Sequence, residues 1–222
     1  MTFKPDFSKV YNKANEILVS SSIISKFPYN TKQLIEEQPN ISCKKFSKAH
    51  EYNVDIEAYG SKSAVAIKDD EGKTIIFYNQ EEIRERIKFS ALHEDGHIVL
   101  DHIFEINNRE LYKIYEVEAN YFAAQLLMPE QILREFQHRG IRITTEFLVE
   151  KFEVSETAAE KRLETLKRIM WGRNSIETQY DDIILEKCMP WINSIAPYRI
   201  EEIYRKEEEQ QIERNEWMNM RH

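Results

Sequence analysis

The sequence predicts an α+β protein: a small antiparallel sheet packed on a histidine-bearing helix, followed by a mostly helical second half. Three stretches carry this. SAVAIKDDEGKTIIFYN, residues 63–79, has two short β-rich runs around a turn at Asp70–Gly72. FSALHEDGHIVLDH, residues 89–102, lies in a run where Ile83, Ile87, Ala91, Glu94 and Ile98 recur at three- and four-residue steps, the period of a helix starting near Gln80. IYEVEANYFAAQLLMPE, residues 114–130, is a second strong helix, ended by Pro129.

The other elements follow in chain order. Asp6 can cap a helix with Phe7, Val10, Tyr11, Ala14, Ile17 and Leu18 on one face, interrupted by KFPYN. A short helix spans about Thr31 to Glu37 and stops at Pro39, and CKKFSKAHEYN is expected to be irregular or mixed. Pro129 also suits the first turn of a helix over EQILREFQHRG, with Gly140 as its stop. Residues 144–171 predict helix, turn at Val154–Ser155, helix, with Ser155 as N-cap. Four segments result: an N-terminal helical segment 1–53, a core 54–130, a helix-turn-helix-like helical subdomain 131–171, and a charged, helical or disordered C-terminal tail 172–222. Trp217, Met218 and Met220 near its end hint at a docking patch.

Composition narrows the function classes. The 222 residues are 41% hydrophobic, enough for one sizeable core, and 32% charged. No run of eighteen apolar residues predicts a membrane span, and the first residues lack a signal-peptide pattern. Cys43 and Cys188 lie outside any CxxC pattern and suit free thiols in the cytoplasm. A net charge of -8 argues against nucleic-acid binding. The sequence carries no signal for oligomeric state.

The chemistry concentrates at HEDGH. On a helix, His93 and His97 share one face a turn apart, so both rings can turn a nitrogen toward one zinc ion. Glu94 lies about 100° round the helix and can act as general base without ligating the metal. HExxH also arises by chance on ordinary helices, so context matters. Gly96 costs about 1 kcal/mol relative to alanine in a helix interior, which makes sense if another segment approaches closely there.

A catalytic zinc takes three protein ligands and keeps one position open. Glu116 and Glu118 are the candidates for the third. Glu116 is preferred, because it shares a face with Asn120, Ala123 and Leu127, and Asn120 could bond a histidine or Glu116 from behind. Tyr121, Tyr78, His102 and His138 are candidates, by residue type alone, for stabilising an oxyanion. His102 also suits a helix C-terminus, where a cation meets the dipole. The strand TIIFYN could pair with an extended substrate, or be plain sheet.

HEDGHIVLDH followed by EVEANYFAAQLLMP resembles the paired signature of the ImmA/IrrE family of zinc metallo-endopeptidases. IIFYN before the motif and FLVEKFEVSETAAEKRLETL after it are similar too, so the resemblance covers roughly residues 54–168. It implies Zn2+ held by His93, His97 and Glu116, Glu94 as catalytic base, and a protein substrate, a helix-turn-helix transcriptional repressor of a mobile element, prophage or stress response. Asp95 departs from the family, which commonly has leucine there.

Two other readings compete. One is a regulatory or toxin-antitoxin-type binding module that keeps the zinc fold without catalysis. The other is DNA binding through residues 144–168, where Lys161, Arg162, Lys167 and Arg168 are offset by Glu156, Glu160 and Glu164. So many acids beside phosphates disfavour a recognition helix.

Overall fold

The first helix begins where its cap predicts. The Asp6 carboxylate accepts from the Lys9 N–H at 3.0 Å, and α1 runs over Phe7–Ser20. The structure, a computed structural model, describes residues 4–69, 72–102, 108–172, 180–198, 210–212 and 214. Val10, Ala14 and Leu18 of α1 enter the main core, the 3.6-residue stripe of an amphipathic helix. Asn30 caps α2 (Thr31–Glu36) by accepting from the Gln33 N–H at 3.2 Å.

The polar stretch after α2 holds a strand. β1 (Ile41–Lys45) joins β2 (Ala64–Lys68) and β3 (Thr74–Tyr78) in one sheet of order β1-β3-β2. β2 and β3 form the expected antiparallel hairpin, and Gly72 in its turn takes φ 81°. β1 pairs with β3 in parallel, so the sheet is mixed rather than wholly antiparallel. β1 belongs to the stretch read as an N-terminal helical segment, yet its strand partner is in the core. Alternation along β3 separates two cores: Ile75 and Phe77 pack with Ala49 of the 3-10 turn at Phe46–Tyr52, and Ile76 faces the main helical core.

α3 (Arg84–Val99) starts four residues later than Gln80, because Asn79 Oδ1 accepts from the Glu81 N–H and closes a turn first. Its buried stripe is Lys88, Ala91, Leu92, Asp95, Gly96 and His97, whereas Ile83 is exposed. The apolar period traced from Ile83 therefore did not mark the inward face. Lys88 is buried because its ammonium meets the Glu153 carboxylate at 2.9 Å.

α4 (Arg109–Leu127) is capped by Asn108 and ends before Pro129, which precedes α5 (Glu130–His138); Gly140 follows at φ 82°. Thr144 caps α6 (Thr145–Phe152), and Ser155 Oγ accepts from the Ala158 N–H in α7 (Glu156–Gly172). Arg162, counted with the basic residues of this helix, is 1% exposed. Its guanidinium donates to Met128 O at 3.1 Å and Gln125 Oε1 at 2.6 Å, which pins α7 to the end of α4.

α8 (Asp181–Ile195) lies in the segment read as a charged tail. It buries Ile184, Cys188 and Ile192, and Lys187 donates to the Leu18, Val19 and Ser21 carbonyls at the end of α1. Trp217, Met218 and Met220 lie outside the described residues. Cys43 in β1 and Cys188 are both free and buried. Among the described residues no helix is long and apolar enough to cross a membrane.

Candidate metal centre

Gly96 lets α4 come close to α3. A Cβ there would lie 3.0 Å from Phe122 Cδ1 and 3.3 Å from the Ala119 Cα. The close approach brings Glu116 of α4 to the histidine face of α3. His93 Nε2 and His97 Nε2 lie 3.1 Å apart. Glu116 Oε2 is 3.5 Å from the first and Oε1 is 3.5 Å from the second. These three residues form the one cluster among the described residues whose ligand atoms converge, all within 4.8 Å, as a metal ion needs.

The electrostatics suit metal ligands. Burial, helped by neighbouring His97, pushes the His93 imidazole down to about 4, so it stays neutral with a free lone pair. Hydrogen bonding from His97 holds the Glu116 carboxyl below its ordinary range and so anionic. Glu94 faces the cleft beside His93. Its Oε2 accepts from the Ala66 N–H of β2 at 3.1 Å, and burial raises its carboxyl to about 7. A carboxyl poised near neutrality can both take and return a proton.

Asn120 donates to the Glu116 carbonyl at 2.6 Å, and its side chain also hydrogen-bonds His93. Glu118, the alternative third ligand, turns away and meets His102 Nε2 at 2.9 Å. The four oxyanion candidates separate. Tyr121 lines the cleft with His93 and Glu94. His102 is buried behind His97. Tyr78 lines a different cavity of about 660 Å³, and His138 is exposed at the end of α5. Sequence reasoning passed over Tyr112, which hydrogen-bonds Glu116 and feels the charge of Glu94; burial, then Glu116, raises its phenol. Its signal was its position, four residues before Glu116 on the same helix face.

The cleft in front of the cluster measures about 1020 Å³. One wall is the start of β2 with Ser61–Ser63; the other is α7 with Ser155, Ala158, Lys161, Thr165 and Arg168. Substrate pairing on TIIFYN fails on topology, because β3 is the central strand with β1 and β2 on its two edges. β2 is the edge strand beside Glu94, and the Ala66 N–H points outward from the sheet.

A family model for the IrrE N-terminal-like domain, peptidase M78, matches residues 48–164. The chain belongs to this family. Among curated proteins none matches it. The IrrE N-terminal-like domain contains all of α3 and α4, and so His93, Glu94, His97 and Glu116. It is a metallopeptidase-type domain, and the clustered imidazoles and carboxylate are compatible with its metal. α1, β1 and α8 lie outside the matched residues.

Proposed function

We propose that the protein is a zinc-dependent endopeptidase, with His93, His97 and Glu116 as zinc ligands and Glu94 as general base. The observation that carries this reading is the spacing of the donors. Zinc bonds of about 2.0–2.1 Å at tetrahedral angles put ligand atoms about 3.3–3.4 Å apart. The two imidazole nitrogens here lie 3.1 Å apart, and each is 3.5 Å from one oxygen of the Glu116 carboxylate, Oε2 for His93 and Oε1 for His97. Two neutral imidazoles and one carboxylate are also a donor set of catalytic zinc sites, with a fourth position left open.

When bound, zinc supplies Lewis acidity, polarising a peptide carbonyl and making water acidic enough to attack near neutral pH. Glu94 takes the proton of the attacking water and returns it to the leaving amine. Its Ala66 N–H contact holds the carboxylate at the mouth of the cleft. Tyr121 lines this cleft and Tyr112 hydrogen-bonds Glu116, so these are the phenols placed to donate toward a developing oxyanion. The substrate chain lies extended along the outer edge of β2, beside the Ala66 N–H that holds Glu94.

By resemblance to the ImmA/IrrE family, the substrate is a helix-turn-helix transcriptional repressor of a mobile element, prophage or stress response, which puts the activity in the cytoplasm. α7 then serves as a cleft wall rather than a DNA reader, with Arg162 buried in its own fold. The test is elemental analysis of the purified protein, followed by incubation with the repressor encoded nearby. One zinc per chain and site-specific cleavage, lost in Glu94→Gln with zinc retained, is the expected result. Zinc without cleavage of any regulator would favour the non-catalytic binding module, and no zinc uptake would overturn the reading.

A further inference from the structure

The ligand face of His97 is one end of a longer chain of contacts. Its other nitrogen, Nδ1, lies 3.0 Å from His102 Nδ1. His102 Nε2 lies 2.9 Å from Glu118 Oε2. Glu118 Oε1 accepts from the backbone N–H of Asp6 at 2.6 Å, at the N-cap of α1. The chain runs through the interior: His97, His102 and Glu118 are 6%, 5% and 8% exposed.

The backbone builds this deliberately. Asp101 takes φ 57°, which turns the chain back at the end of α3, and the His102 N–H donates to the His97 carbonyl at 3.0 Å. The His102 ring then stacks on Tyr115, with centroids 4.0 Å apart and planes 6° from parallel. The ring has one seat.

Proton positions follow from the ends of the chain. A ligand His97 uses the lone pair of Nε2, so its proton sits on Nδ1 and is donated to His102 Nδ1. His102 must then carry its own proton on Nε2 and donate it to Glu118. The Asp6 N–H meets the other carboxylate oxygen. Every donor has an acceptor in this one assignment, and the negative charge of Glu118 is passed toward the metal through two rings. Such outer partners fix the tautomer and orientation of a ligand histidine and raise its basicity.

We propose that His102 and Glu118 are positioning residues of the metal centre, and that the N-terminus of α1, outside the matched domain, completes it. This rests on the zinc reading above. The full-length protein and its variants are compared for zinc affinity by competition with a chromophoric chelator, and for melting of the zinc-free form. His102→Leu is expected to weaken zinc about 10- to 100-fold. His102→Gln, whose carbonyl can accept from His97 while its amide donates to Glu118, is expected to recover most of that loss. Glu118→Gln leaves His102 in place and is expected to weaken zinc by less than His102→Leu does. Wild-type affinity in both His102→Leu and Glu118→Gln would overturn the proposal. So would equal losses in His102→Leu and His102→Gln that track the melting of the zinc-free forms, which is what a merely structural role predicts. Failure of the wild-type protein to bind zinc would instead overturn the zinc reading itself.

Discussion

Two neighbouring carboxyls on α3 face opposite regions of the molecule. Glu94 opens on the cleft, and Asp95 is sealed behind it with no exposure. Burial raises both to about 7. Glu94 accepts from Ala66 and borders a space that can hold substrate and water. Asp95 accepts from Gln38 Nε2 at 2.8 Å through Oδ2, and its Oδ1 has no hydrogen-bond partner. A perturbed carboxyl is therefore no sign of catalysis by itself. Access to the cleft distinguishes the two.

The sharpest way to break this comparison is to remove each charge in turn. Glu94→Gln should lower peptide cleavage by about 10²–10⁴-fold with zinc content unchanged, whereas Asp95→Asn should leave cleavage near wild type. Equal activity losses in the two variants would erase the distinction.

The next effect concerns α4, where Glu116 and Glu118 split in the same way. On the proposed zinc reading, Glu116→Ala removes a ligand and should weaken zinc well beyond the loss in Glu118→Ala, which would remove only a supporting group. Chelator competition orders them, and the reverse order would move the ligand to Glu118.

The third is a stability effect. The Asp95 carboxyl rises from its ordinary 3.8 to about 7 in the fold. Between about pH 4 and 7 the folded state holds a proton that the unfolded chain has released. Stability contributed at low pH is thus lost as pH rises through that window, and stays lost above it. Asp95→Asn should flatten this slope and stabilise the protein at pH 8 by about 1–3 kcal/mol. Urea unfolding at pH 5 and pH 8 checks it; the same pH slope in variant and wild type would show that Asp95 is not its source.

The smallest is at Gly96. A methyl there would crowd Phe122 and the α4 backbone at Ala119. Overpacking outweighs the helix-propensity gain, so Gly96→Ala should cost about 1–2 kcal/mol, read by denaturant melting. A stabilised Gly96→Ala would mean that α4 can withdraw freely.

Much of the site was legible because its grammar is local. Caps at Asp6 and Ser155 and the four-residue step from His93 to His97 act within one or two turns. The hidden parts depend on distant partners. β1 escaped notice because only Cys43 of its five residues is buried, and its parallel partners on β3 lie 33 residues further along the chain. The burial of Lys88, Asp95 and Arg162 depends on Glu153, Gln38 and Met128, partners that lie far away in the sequence. His102 was read as a helix-end cation, since nothing in the sequence shows that Asp101 turns left-handed and folds it back beneath His97.

The two cysteines give the molecule a pair of silent alarms. Burial raises Cys43 to about 12 and Cys188 to about 11, so neither presents a thiolate at neutral pH. Both side chains are buried, so alkylation is expected to speed up when the surrounding structure opens. Cys43 sits in the outer strand beside β3, and Cys188 in the helix that clamps α1. Their labelling rates therefore report separately how often the sheet edge and the C-terminal helix come loose, with no probe introduced.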